Sequence, residues 1–153
     1  MDRLTTAQRS RNMALIKSKN TGPEIFVRKL LFSNGYRYRL YDKNLPGKPD
    51  LVLKKYNSVI FVHGCFWHSH RGCSKATVPD ENHEFWVNKL KANKERDLKI
   101  NHDLITAGYK VLIIWQCACI KKHSERLLNK ITIFLNSDDQ YLEIGRRDVT
   151  EPS

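Results

Sequence analysis

The apolar positions of the chain follow a helical period in some segments and a strand period in others. A helix is predicted to start at Thr21-Gly22-Pro23-Glu24, because Thr21 can cap its first turn and Glu24 can complete a capping box. Apolar residues at positions 25, 27, 30 and 31 continue this helix, and Gly35 ends it. Three strands are predicted next, over residues 36–41, 51–53 and 59–62, with a turn at 44–47.

The second half of the chain alternates between helix and strand. Residues 81–107 predict a long charged helix, which Gly108 stops, and residues 109–115 form an apolar run typical of a strand buried on both faces. A last helix is predicted over residues 124–135, and residues 139–153 give no clear signal. This order of elements favours one α/β domain, residues 21–153, built around a mixed sheet flanked by helices.

The composition is basic, with 27 Lys and Arg against 16 Asp and Glu and a net charge of +11. Such an excess suits a polyanionic partner such as nucleic acid, although a merely soluble basic protein has the same balance. Residues 1–20, in which one short helix is predicted near residues 7–16, are interpreted as a basic arm outside the core. No apolar run approaches the roughly 18 residues of a membrane span, so a cytoplasmic protein is expected. In that compartment four cysteines favour metal ligands or free thiols over disulfides.

The loop over residues 64–79 contains a group of metal-binding residue types. Cys65, His70 and Cys73 have the spacing C-x4-H-x2-C, and Cys117 follows the predicted buried strand. Three local ligands and one distant ligand commonly complete a tetrahedral zinc site, which would be structural because no coordination position stays open. Cys119 competes with Cys117 for the fourth position, and Cys117 is preferred only because it is nearer the end of the predicted strand. Alternatively, the two distant cysteines are small buried side chains and His70 is a surface residue.

A second group of residues suggests phosphodiester chemistry. Asp50 opens an apolar strand after a proline, where Mg²⁺-dependent nucleases place a metal ligand, and His63 and His68 are available for proton transfer. The next strand carries no acid, so a backbone carbonyl or a histidine must replace a second carboxylate. Each residue also has an ordinary explanation, Asp50 as a turn carboxylate and His63 as a hydrogen-bonded core residue.

Adjacent aromatic residues occur at Phe66-Trp67 and Phe85-Trp86. Exposed aromatic side chains of a basic protein can stack on bases or wedge between base steps. Equally, these four rings can pack a small core around the zinc site.

Several motifs together resemble the very-short-patch repair (Vsr) mismatch endonucleases. They are PGKPD at 46–50, FVHGCFWH at 61–68, EFW at 84–86, VLIIWQC at 111–117 and RSRNM at 9–13. The resemblance covers residues 7 to 135. It implies a restriction-endonuclease-like α/β fold with a structural zinc, and a Mg²⁺-dependent nick in one strand of double-stranded DNA beside a T:G mismatch left by deamination of 5-methylcytosine. Such an enzyme would act as a monomer and pass the nicked DNA to downstream repair proteins.

The resemblance also implies roles for individual residues. Asp50 and the backbone carbonyl of Val62 would bind Mg²⁺, His68 would be the general base or acid, and His63 would lie near the scissile phosphate. Glu24 would support the histidine, a role that its capping position alone does not suggest. Zinc would be bound by Cys65, His70, Cys73 and Cys117. The DNA would be opened by Phe66, Trp67 and Trp86 and clamped by the arm through Arg9, Arg11 and Met13.

The chain departs from the family pattern at three places. Val62 stands where a threonine can occur, Gln116 replaces a glutamate before the last zinc cysteine, and Arg71-Gly72 changes the spacing of the zinc loop. Two other functions stay open: a restriction endonuclease of the same superfamily that cuts intact sites, and a zinc-stapled DNA-binding module without catalysis.

Overall fold

The computed structural model describes residues 21–151. A sheet of five strands in the order β1-β2-β3-β4-β5 runs through the domain. The strands are β1 (Arg39–Leu40), β2 (Leu51–Leu53), β3 (Ser58–His63), β4 (Lys110–Trp115) and β5 (Tyr141–Ile144). The first three strands pair in antiparallel fashion, whereas β3, β4 and β5 run parallel to one another. The prediction of a mixed sheet is therefore confirmed.

Helices cover both faces of this sheet. They are α1 (Gly22–Ser33), α2 (His83–Thr106), α3 (Ser124–Leu135) and the short α4 (Arg146–Thr150). Each parallel strand pair is joined through a helix, α2 between β3 and β4 and α3 between β4 and β5, as parallel pairing requires. The three long helices were predicted within two residues of these bounds, while α4 was not predicted.

The alternation of side chains along β3 and β4 produces two hydrophobic cores. Ile60 and Val62 point towards α1 and α3, whereas Val59 and Phe61 point towards α2. Both central strands are therefore buried on both faces. Asp50 lies two residues before Val52, so its side chain points to the same face of the sheet, towards α2. His63, at the end of β3, points to this face as well.

Two predictions about the edges of the sheet need correction. Of the strand predicted over residues 36–41, only Arg39–Leu40 pairs with β2. The Tyr36 N–H instead donates to the carbonyl of Leu31 at the end of α1, and the Tyr36 and Tyr38 hydroxyls hydrogen-bond to Thr132 of α3 and to the backbone of α1. Residues 139–153, which gave no signal, contain β5 and α4. The predicted arm at 1–20, its helix near 7–16 and the DNA contacts of Arg9, Arg11 and Met13 lie outside the described residues. Within residues 21–151, every helix is too short or too polar to cross a lipid bilayer.

Candidate active site and metal centre

Asp50 lies where β2 begins, in a pocket of about 180 Å³ between the sheet and α2. The N–H of Val62 on β3 donates a hydrogen bond of 2.7 Å to Asp50 Oδ2, which fixes the carboxylate against the neighbouring strand. The pKa of Asp50 is raised to about 7, chiefly by burial and to a smaller extent by the nearby Glu24 carboxylate, although the Val62 hydrogen bond and Arg28 lower it. A cation placed beside such a carboxyl group would stabilise its ionised form.

His63 and His68 line the same pocket and stack face to face, with ring centroids 3.7 Å apart and an interplanar angle of 4°. His63 is buried, and its burial together with the neighbouring His68 lowers its pKa well below the usual value. His63 is therefore a neutral ring at pH 7. It also packs edge-on against Trp115 of β4 at 5.3 Å, so its orientation is held from two sides.

A carboxylate on α2 holds His68. Asp97 Oδ2 lies 2.6 Å from His68 Nδ1, and both side chains are largely shielded from solvent. A carboxylate at Nδ1 favours the tautomer with hydrogen on that nitrogen, which leaves Nε2 free to accept a proton. This carboxylate–imidazole pair is the arrangement of a general base with its orienting group. Sequence reasoning missed Asp97.

The signal that could have revealed Asp97 is the face of α2 that packs on the domain. Trp86 and Leu90 bury this face at one end and Leu104 at the other, yet Asn93 and Asp97 occupy it in the middle at helical spacing. Asn93 donates to the backbone carbonyl of Trp67 at 3.1 Å, one residue before the histidine that Asp97 holds. Polar residues inside a packed face indicate function rather than packing.

Glu24 enters this pocket from α1 and is only 2% exposed. The predicted cap of α1 is present, since Thr21 Oγ1 accepts from the N–H of Glu24 at 3.4 Å. The Glu24 carboxylate accepts hydrogen bonds from Arg28, at 3.1 Å, and from the Tyr41 hydroxyl. Glu24 and Asp50 thus line one pocket, while His68 is held by Asp97.

Cys65, His70, Cys73 and Cys117 form a second cluster, in which one ligand atom from each lies within 4.8 Å of the others. The separation of Cys117 Sγ and His70 Nδ1 is 3.4 Å. Sulfur and nitrogen ligands of one tetrahedral zinc would be about 3.5 Å apart, so the arrangement fits the size of that ion. The His70 ring stacks on Trp115 at 4.1 Å, and Gly145 lies so close that a Cβ there would be 3.2 Å from His70 Nε2.

Two thiols of this cluster, those of Cys65 and Cys117, are shielded from water. Burial raises the pKa of Cys65 to about 12 and also raises the pKa of Cys117. A bound cation is the usual way to hold such sulfurs as thiolates. Cys119 is not part of the cluster, because its sulfur is directed to the carbonyls of Pro23 and Trp115. The structure thus brings Cys117, rather than Cys119, to the other three residues.

The four aromatic residues form one connected group beside the pocket. The rings of Phe66, Trp67 and Trp86 contact one another edge to face, with centroids 5.2 to 5.8 Å apart. Trp86 is 8% exposed and supports the group from α2, Phe66 and Trp67 are half-buried, and Phe85 is 58% exposed. The group therefore has a buried base and an accessible aromatic surface.

The amino-acid sequence of this chain is similar to proteins of one family. The family model described as DNA mismatch endonuclease Vsr matches residues 1–75. A type II nicking enzyme of Neisseria meningitidis is 45% identical over 135 residues, which cover 85% of this chain and 96% of that protein. A type II nicking enzyme of Xanthomonas oryzae is 46% identical over 116 residues, 76% of this chain and 85% of that protein. The DNA mismatch endonuclease Vsr of Escherichia coli is 44% identical over 112 residues, 73% of this chain and 71% of that protein. The chain belongs to the Vsr family of DNA mismatch endonucleases.

Proposed function

We propose that this DNA endonuclease nicks one strand of a duplex beside a T:G mismatch, in a Mg²⁺-dependent reaction that starts very-short-patch repair. The observation that carries the proposal is the convergence of Asp50 and the His68–Asp97 pair in one pocket, next to an accessible aromatic surface. A nuclease needs a metal-binding carboxylate such as Asp50 and a proton-transfer pair such as His68–Asp97 to act on a phosphodiester. A mismatch-specific nuclease also needs a way to test the stacking of the duplex.

Asp50 and the backbone carbonyl of Val62 would hold the Mg²⁺. Oxygen ligands suit this ion, and a raised pKa of Asp50 in the metal-free protein is expected of a carboxylate placed to receive a cation. When bound, Mg²⁺ would supply Lewis-acid stabilisation of the charge that develops on the phosphate. Glu24, in the same pocket, would accept hydrogen bonds from water molecules of the site.

His68 would take a proton from the attacking water at Nε2. Asp97 keeps the ring in the required tautomer and stabilises the positive charge that the ring then carries. The stacked His63 ring, which is neutral, restricts His68 to one orientation without placing a second positive charge against it. It would contact the scissile phosphate as a hydrogen-bond donor.

The Cys65–His70–Cys73–Cys117 cluster would bind one structural Zn²⁺, whose four protein ligands leave no position for substrate. Its effect would be mechanical. The loop between β3 and α2 carries both the aromatic residues and His68, and zinc would anchor this loop to the end of β4. Phe66 and Trp67, supported by Trp86, would then enter the duplex at the mismatch, and residues Arg9, Arg11 and Met13 of the arm would clamp the DNA.

One candidate active site within residues 21–151 suits a monomer that cuts one strand and leaves the nick to downstream repair proteins. The alternative is a nuclease that cuts both strands of an intact site. No observation favours it, and the aromatic surface beside the pocket has no role in it. A DNA-binding module without catalysis leaves the His68–Asp97 pair unexplained.

The proposal is tested by separating binding from cleavage. The variant Asp50→Ala should retain its affinity for a T:G duplex and lose nicking in Mg²⁺ by at least about a thousandfold. The matched control is Asp80→Ala, an exposed aspartate outside the pocket, which should nick at the wild-type rate. Nicking that persists in Asp50→Ala would remove Asp50 from the reaction.

A further inference from the structure

The buried Glu24 carboxylate is held by two residues that have no assigned role. Arg28 lies one helical turn after Glu24 on α1, and its Nη2 donates to Glu24 Oε2 at 3.1 Å. The Tyr41 hydroxyl donates to the same oxygen, and Arg28 Nη2 also lies 2.5 Å from that hydroxyl. Both donors therefore converge on one carboxylate oxygen.

Tyr41 has an unusual backbone conformation. Its φ angle is 50°, in the left-handed region that a bulky residue adopts only when its surroundings impose it. Its N–H donates to the carbonyl of Pro49 at 3.1 Å, and Pro49 directly precedes Asp50. One residue thus joins the backbone beside Asp50 to the side chain of Glu24. Backbone strain of this kind is common at functional sites.

The negative charges in this region also need a positive group to compensate them. Glu24 and Asp50 are two carboxylates that line the same pocket, and like charges in a partly dehydrated space repel each other. The Arg28 guanidinium lies 5.4 Å from the centroid of the Tyr41 ring, which limits its motion and keeps its positive charge beside Glu24. The Arg28 charge thus offsets part of the repulsion between the two carboxyl groups.

We propose that Arg28 and Tyr41 are positioning residues, which fix the Glu24 carboxylate relative to Asp50 so that the two together form the acidic side of the Mg²⁺ pocket. The second carboxylate that the strand after Asp50 does not supply is thereby provided by a helix. The inference rests on the proposed function, because it assigns the pocket to Mg²⁺. Its specific content is that the Tyr41 hydroxyl and the Arg28 guanidinium hold the Glu24 carboxylate in place through their shared oxygen.

The cleanest variant is Tyr41→Phe, which removes one oxygen and changes no charge. It should lower kcat for nicking of a T:G duplex by about tenfold, because a hydrogen bond to a charged group is lost. It should also raise, by severalfold, the Mg²⁺ concentration that gives half of the metal-dependent rise in Tm. The affinity for the duplex without Mg²⁺ should stay unchanged. The matched control is Tyr38→Phe, which removes a hydroxyl that donates to the backbone carbonyl of Arg28 at 3.2 Å and does not contact Glu24.

A double-mutant cycle then distinguishes positioning from a general structural effect. In a Glu24→Ala background, Tyr41→Phe should cause no further change in kcat or in the Mg²⁺ dependence of Tm. Arg28→Gln should lose most of its effect in that background and keep only the part that comes from its direct charge interaction with Asp50. The same fold-losses in that background would overturn the inference, as would a Tyr41→Phe protein that matches wild type in both measurements. The rise in Tm needs no nicking, so it remains decisive even for variants too slow to assay. Wild-type protein that shows the metal-dependent rise but nicks no duplex would instead overturn the proposed function.

Discussion

Replacing Asp50 by asparagine should stabilise the metal-free protein while it abolishes nicking. Burial and the nearby Glu24 raise the pKa of Asp50 from 3.8 to about 7, so the folded state opposes ionisation of this group. A shift of about three units corresponds to at most about 4 kcal/mol. The asparagine Oδ1 can still accept the Val62 hydrogen bond, so the substitution removes the charge and keeps the contact.

The size of this effect depends on pH in a defined way. Below about pH 4 the carboxyl is protonated in both the folded and the unfolded protein, so Asp50 and asparagine should give nearly equal free energies of unfolding. Between pH 4 and pH 7 the unfolded chain loses the proton first, and the wild type becomes progressively less stable than the variant. Above pH 7 the difference should reach a plateau of about 2 to 4 kcal/mol.

The assay is urea unfolding of both proteins at several pH values, in Mg²⁺-free buffer without a chelator, so that bound zinc is kept. Asp80→Asn, at an exposed aspartate, is the control and should show no pH-dependent difference from wild type. Adding Mg²⁺ should raise the Tm of the wild type and leave that of Asp50→Asn unchanged. A variant that is less stable than wild type at pH 8 would refute the reasoning, because the buried charge would then be stabilising without a cation.

Three further substitutions test the other parts of the site. Cys65→Ser should lose the bound zinc, about one ion per chain in the wild type, and should have a lower Tm, whereas Cys119→Ser should keep the zinc. The measurement is metal analysis of protein purified without chelator. A wild-type protein without zinc would contradict the assignment of the cluster as a zinc site. Trp67→Ala should reduce the preference for T:G over T:A duplexes about tenfold or more in competitive binding; an unchanged preference would confine this ring to packing. Asp97→Asn should lower kcat by about 10²- to 10⁴-fold with little change in duplex affinity, measured by single-turnover nicking; a wild-type kcat would mean that His68 needs no orienting carboxylate.

Much of this site could be predicted from sequence because its residues lie near strand ends and in one local motif. Asp50 precedes β2, His63 ends β3, and Cys65, His70 and Cys73 follow within one loop, so the strand pattern alone brings them together. The sequence preference for Cys117 over Cys119 rests only on the position of Cys117 nearer the end of β4, and the structure agrees with it. The physical cause is the turn after Trp115, which directs one thiol to the loop and the other towards α1.

Asp97 and Tyr41 could not be assigned for a different reason. Asp97 is one acid in a helix rich in charged residues, and only the packing of α2 against the sheet distinguishes it from its exposed neighbours. The role of Tyr41 depends on a positive φ angle and on contacts with Glu24 and Pro49, which are distant in sequence. Strand β5 has four residues, too few for a reliable alternating pattern, and it forms by pairing with β4.

The Asp50–His68 pocket is proposed to nick one strand of a mismatched duplex. The decisive assay uses duplexes labelled on either strand and carrying T:G, T:A or C:G at one position, in varied sequence contexts, incubated with the protein and Mg²⁺. One cut is expected, in one strand and beside T:G only, and it should be absent without Mg²⁺ and absent in Asp50→Ala. Equal cleavage of the three duplexes, or cutting of both strands at an intact site, would contradict the proposal.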